Sequence, residues 1–132
     1  MATKSVIGRF GTVLLCDDVR REINNKRSIM GNFSGDVLVS AFPAEIPLSF
    51  YIEYLPTGED VDIGLEIQLG TKKSIRFNTK IEKVPRGQVA VFDGFKIMLK
   101  VENKTELKLY AVINKKRRLL LRKKIAVGQL TI

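Results

Sequence analysis

The chain has 132 residues, with 23 Lys or Arg against 14 Asp or Glu, a formal net charge of +9, one cysteine and no histidine. Its length suits one domain that can bury a core without disulfides or metal, and 45% hydrophobic with 28% charged residues excludes wholesale disorder. The absence of histidine removes the commonest general base and transition-metal ligand, so the usual zinc ligand sets and the Ser-His and Cys-His nucleophile arrangements cannot form within one subunit.

The N-terminal stretch MATKSVIGRFGT has a lysine but no apolar core and no small-residue cleavage site, so it does not read as a secretory signal. Residues 1–11 read as an N-terminal extension and 12–132 as a single domain. A first strand is expected near 12–17, where Val13, Leu14, Leu15 and Cys16 are apolar in succession, as in a central strand covered on both faces. The stretch 22–27, EINNKR, reads as a turn, and 17–25 is the one weak helical candidate. A long second strand is expected over 28–40, bent or bulged in its middle by Gly31, Gly35 and Asp36. FPAEIP at 42–47 carries two prolines, which lack ladder donors, and reads as a loop crossing between sheets.

Regular alternation follows. Leu48, Phe50, Ile52 and Tyr54 alternate up to the turn Pro56-Thr57-Gly58. In VDIGLEIQL the odd positions Val61, Ile63, Leu65, Ile67 and Leu69 are apolar and the even ones polar or glycine, which predicts one buried and one wet face. Ile75, Phe77, Thr79 and Ile81 continue the period, and a strand from Val89 to Val101 is expected to kink at Gly94. The last two strands, near 106–114 and 119–130, flank Lys115, Lys116, Arg117 and Arg118 as a hairpin. About eight short strands separated by Gly and Pro turns, with no crossover helices, predict an all-β fold: an antiparallel β-sandwich, Ig-like or C2-like, with a small β-barrel as the alternative. No apolar run approaches the roughly 20 residues of a membrane-spanning helix, so no membrane insertion is expected.

Candidate chemistry is sparse. No phosphate-cradling GxxxxGK[ST] or GxGxxG is present, and no cofactor is expected. Cys16 lies in an apolar run and reads as a buried structural thiol, although Arg20 and Arg21 are near. A single cysteine makes no internal disulfide, which fits a cytoplasmic protein. Asp17 and Asp18 would point to opposite faces of a strand, so they are poorly placed as an acid and base pair and read as caps of the turn or partners of Arg20, Arg21 or Lys26. Glu59, Asp60 and Asp62 resemble loop carboxylates that bind calcium, but the six to eight oxygens calcium needs would have to come from a second loop, such as one carrying Asp93, so no metal is expected. An enzyme using Asp17, Asp18 and Asp36 with a bound cation is the third and weakest reading.

The sharpest feature is KKRRLLLRKK at 115–124, whose Lys115, Lys116, Arg117, Arg118, Arg122, Lys123 and Lys124 supply seven of the nine net positive charges with no acid among them. Such a run protects a strand edge from aggregation, or it contacts nucleic acid or an anionic surface. No aromatic residue lies within the run to stack bases. A regular scaffold without a catalytic constellation reads first as a non-enzymatic interaction or assembly module that binds another protein or itself, with FPAEIP and CDDVRRE as its most distinctive loops. Nucleic-acid binding through the basic hairpin is the alternative.

Residues 12–47 resemble an N-terminal signature of a widespread family of small uncharacterised bacterial all-β proteins. The matching segments are Leu14-Leu15-Cys16-Asp17-Asp18-Val19-Arg20, Asn24-Asn25-Lys26, Ser28-Ile29-Met30-Gly31-Asn32-Phe33 and Phe42-Pro43-Ala44-Glu45-Ile46-Pro47. The resemblance implies a β-sandwich and a bacterial or phage origin, and carries no catalytic residue. The basic terminal hairpin lies outside it.

Overall fold

In the computed structural model the described residues are 8–55, 61–71, 75–81, 89–93, 96–113 and 115–128. They form strands β1 (Arg9–Arg21), β2 (Arg27–Asn32), β3 (Val37–Val39), β4 (Ala44–Leu55), β5 (Val61–Leu69), β6 (Ile75–Ile81), β7 (Ala90–Asp93), β8 (Ile97–Val101), β9 (Thr105–Ile113) and β10 (Lys116–Val127), with one 3₁₀ turn at Ile23–Asn25. One sheet runs β2-β1-β4-β7, with β8 also on β4, and the other runs β3-β10-β9-β5-β6. The sheets do not close into a barrel, so the all-β fold has the two-sheet form of a sandwich. Among the described residues no helix is long and apolar enough to cross a membrane.

Period-two patterning decides which side chains meet. β4 buries Ile46, Leu48, Phe50, Ile52 and Tyr54, β5 buries Ile63, Leu65 and Ile67, and β9 buries Leu107, Leu109, Ala111 and Ile113. All but Ala111 belong to one cluster that also takes in Leu15 of β1 and Ile125 of β10. Each large apolar side chain buried this way contributes about 1.5–3 kcal/mol. The buried Tyr54 phenol accepts a 3.0 Å hydrogen bond from the Gly8 amide, which satisfies its polar end.

Several expectations change. β1 begins at Arg9, so residues 9–11 belong to the sandwich and not to an extension, and it runs to Arg21, which places CDDVRR in a strand instead of a loop. The expected helix at 17–25 is strand followed by the 3₁₀ turn. The single bent strand over 28–40 is two strands in different sheets: β2 pairs with β1, and β3 pairs with β10 in parallel register, Ile125 opposite Val37. FPAEIP is half strand, since Ala44 to Pro47 lie in β4. Pro47 is tolerated because β8 flanks β4 there while the β1 partners stop at Ser49, so one edge needs no ladder donor. Lys116 to Arg118 belong to β10, leaving Lys115 at the turn with φ of 65°. The expected kink at Gly94 and the expected turn at 56–58 lie outside the described residues. β7 and β8 both pair with β4 as consecutive pieces.

Candidate binding surface

Six of the seven basic residues of the terminal hairpin are spread over both faces of β10, and Lys115 lies at the turn before it. Register sets Arg117 opposite Val112 and Arg122 opposite Lys108 on the outer face, while Lys116 and Arg118 oppose the buried Ile113 and Ala111. A register shift between Leu119 and Leu121 breaks the alternation. Three of the cations are engaged within the fold. Arg117 meets Glu66 at 2.8 Å, donates to Gln68 at 3.0 Å and stacks 3.9 Å from the Tyr110 ring centre. Arg122 lies 3.6 Å from Glu106, and the Lys123 ammonium donates to the Phe33 carbonyl at 2.7 Å. Lys115, Lys116, Arg118 and Lys124 have no acidic side-chain partner among the described residues. The sequence run therefore does not form one uniform cationic face.

Glu66 shows why. Alternation predicts it on the wet face, yet it is only 7% exposed, held by Arg76 at 2.9 Å on one oxygen and Arg117 on the other. The Glu66 and Arg76 pairing is legible from the β5–β6 register, in which the two residues are directly opposed.

The CDDVR motif makes its contacts within the fold. Cys16 is fully buried with its thiol 3.5 Å from the Ser49 carbonyl, and burial, followed by the charge of Asp17, pushes the thiol above its ordinary pKa. The Asp18 carboxylate accepts the Val19 amide at 2.9 Å and lies 3.7 Å from Arg20. No salt bridge joins Lys26 to either aspartate among the described residues. Asp17 lies against Gly31, whose φ of 65° and lack of a Cβ make room for the carboxylate. Among the described residues no group of three or more His, Cys, Asp or Glu is placed to hold a metal, and the acidic loop at 59–60 lies outside them.

Asp93, weighed from sequence only as a calcium ligand, is instead the centre of a clamp. Its side chain is 1% exposed and is bonded by Arg27 at 2.9 Å and Arg21 at 3.0 Å, one on each oxygen. Burial alone would push the carboxyl up, but the hydrogen bonds from Arg27 and Arg21 outweigh it and hold the carboxyl below its ordinary range. Beside this clamp an open groove of about 690 Å³ crosses the sheet, lined by apolar Leu14, Ile29, Val89 and Val91 with Arg27, Tyr51 and Glu53. Its polar groups are already partnered: Arg27 by Asp93, and the Tyr51 phenol by Glu53, with burial and then that negative charge pushing the phenol up. The clamp could not be read from sequence, since 66 and 72 residues separate Asp93 from its two arginines.

Among the described residues one side of the sandwich is open. β2 covers β1 only from Cys16 to Arg21, and β3 covers β10 only from Ile125 to Val127. The connection between β2 and β3 crosses from sheet to sheet at this level. The Phe33 amide donates to the Leu15 carbonyl at 2.9 Å, and the Lys124 amide donates to the Asp36 carboxylate at 3.3 Å. Beyond the crossing, residues 9–14 of β1 and 116–122 of β10 have a strand neighbour on one side only among the described residues. Phe10, Val13, Phe33, Leu120 and Leu121 along this side pack on the core while staying only partly buried. The Arg118 guanidinium lies 6.0 Å from the Phe10 ring centre, across the gap between the sheets.

Compared with models of known protein families and with curated proteins, the chain matches none.

Proposed function

We propose that this chain is a non-enzymatic protein-interaction module that docks an extended segment of a partner on the open side between β1 and β10. The observation that carries the reading is the pair of half-covered edge strands over partly buried Phe10, Val13, Leu120 and Leu121. Open strand edges supply main-chain donors and acceptors for an incoming strand, and the apolar side chains beside them supply burial. A scaffold of this kind offers rigid positioning, and the absence of histidine from the chain speaks against the commonest acid-base chemistry. The buried thiol of Cys16 suits the cytoplasm, and the CDDVR motif supports kinship with the bacterial family it resembles.

Affinity capture by the full chain from an extract of the source cells, followed by amide hydrogen exchange on the recovered complex, tests the reading. Protection confined to β1 and β10 edge amides is expected. A monomer with no specific partner, or protection over the Tyr51 and Val91 groove instead, would overturn it. A second reading, binding of nucleic acid or another anionic surface, is favoured by Lys115, Lys116, Arg118 and Lys124, whose cationic groups form no ion pair among the described residues. It predicts a mobility shift at low salt that weakens steeply as salt rises.

A further inference from the structure

We infer that the partner segment is an acidic β-strand, alternating apolar and carboxylate side chains, that adds to the open edge of β10 at residues 116–121. This deepens the docking reading above and rests on it.

β10 is the better of the two open edges for this role because of what it carries. On an ordinary sandwich strand the positions opposite Ile113 and Ala111 would be apolar, but here they are Lys116 and Arg118. Both are exposed, and Arg118 reaches over Phe10 at the margin of the core. Lys123 on the same strand turns toward the crossing connection, with its ammonium on the Phe33 carbonyl. Cations at inward positions of an edge strand guard it against indiscriminate pairing. The guard is selective by sign. A second copy of this chain would bring its own Lys116 and Arg118 against these, and like charges directly opposed across a ladder are destabilising, whereas an acidic strand makes favourable cross-strand pairs. A chain of net charge +9 also repels its own copies at longer range. The apolar half of the incoming strand falls on the opposite, outer face, where Leu119 stands opposite Tyr110 and is 42% exposed. The slot has a defined end, because Asp36 already takes the Lys124 amide and β3 takes the ladder from Ile125 onward.

The test uses the full chain and a labelled, capped nine-residue peptide alternating glutamate and valine. Three comparators match it: the same peptide with proline at its centre, the same peptide with lysine replacing glutamate, and an oligoglutamate of equal charge. Strand addition predicts that the glutamate-valine peptide binds at least tenfold tighter than the proline and oligoglutamate peptides, that the lysine peptide does not bind, and that amides of residues 116–121 gain exchange protection. Arg118→Glu should weaken binding at least tenfold, while Lys100→Glu, an equal charge change on β8, should leave it unaltered. If Arg118→Glu fails to fold, the peptide series on the unmodified chain decides alone. Equal binding of the proline or oligoglutamate peptide would overturn the inference by showing that charge suffices. So would no binding at millimolar peptide, full displacement by an oligonucleotide of equal charge, or a dimer of the chain that occupies β10 itself. A partner captured from cells that protects only β1 would overturn the assignment to β10 and leave the docking reading standing.

Discussion

The clamp on Asp93 can be taken apart in three ways, and the structure ranks their costs. Arg21 is 74% exposed, so Arg21→Ala removes an ion pair whose cationic end already sits in water, and it should cost at most about 1 kcal/mol. Arg27 is 17% exposed and Asp93 1% exposed, so Arg27→Ala strips a buried carboxylate of its better-shielded partner and should cost about 3 kcal/mol. Asp93→Asn keeps the shape and one acceptor but loses the charge, for about 2 kcal/mol. In a domain of this size each kcal/mol moves the melting temperature by roughly 3–5 °C, so urea and thermal unfolding resolve the order.

The same clamp sets a pH signature. Because the folded carboxyl titrates below its unfolded value, its contribution is fully present above the unfolded pKa and is lost as pH falls through the folded one. The stability gap between wild type and Asp93→Asn should therefore hold constant from neutral pH down to about pH 5 and shrink below about pH 4, near the unfolded pKa. A gap that stayed constant below pH 4, or an Arg21→Ala cost equal to that of Arg27→Ala, would refute this reasoning.

Three further outcomes are expected. Gly31→Ala should lose about 2 kcal/mol in chemical unfolding, partly from the left-handed backbone and partly from the Asp17 carboxylate, and combining it with Asp17→Ala should recover part of that loss. Cys16 should resist thiol-labelling reagents in the folded chain and react at the rate of a free thiol once the chain is unfolded in denaturant, since its thiol is buried and its pKa raised. Arg117→Ala should destabilise by about 1 kcal/mol by removing the ion pair to Glu66, while Lys115→Glu should leave the melting temperature within a degree or two.

The legible part of this fold is where period two is clean. Val61 to Leu69 reads as a strand from the first apolar residue to the last, and β5 has those bounds, because alternate burial is what a sheet on one core requires. The stretch 28–40 misleads because Gly35 and Asp36 fit equally well in a bulged strand or in a connection between sheets. Only the pairing of Val37 with Ile125, 88 residues away, separates the two. FPAEIP misleads in the opposite direction: two prolines argue against a strand, but Pro47 stands where β4 has an unpaired edge. The candidate surface was half legible. Composition marks β10 as basic, whereas the acids that engage Arg117 and Arg122, and the lack of a described neighbour along residues 116–122, are properties of the assembled sheets.

Amide hydrogen exchange across β10, with and without the captured partner, is the most direct test of strand docking. The amides of residues 116–121 that point away from β9 should exchange quickly in the free chain, matching an edge, and slow at least tenfold in the complex. If those amides are equally fast in both states while other surfaces become protected, docking on the open edge is contradicted.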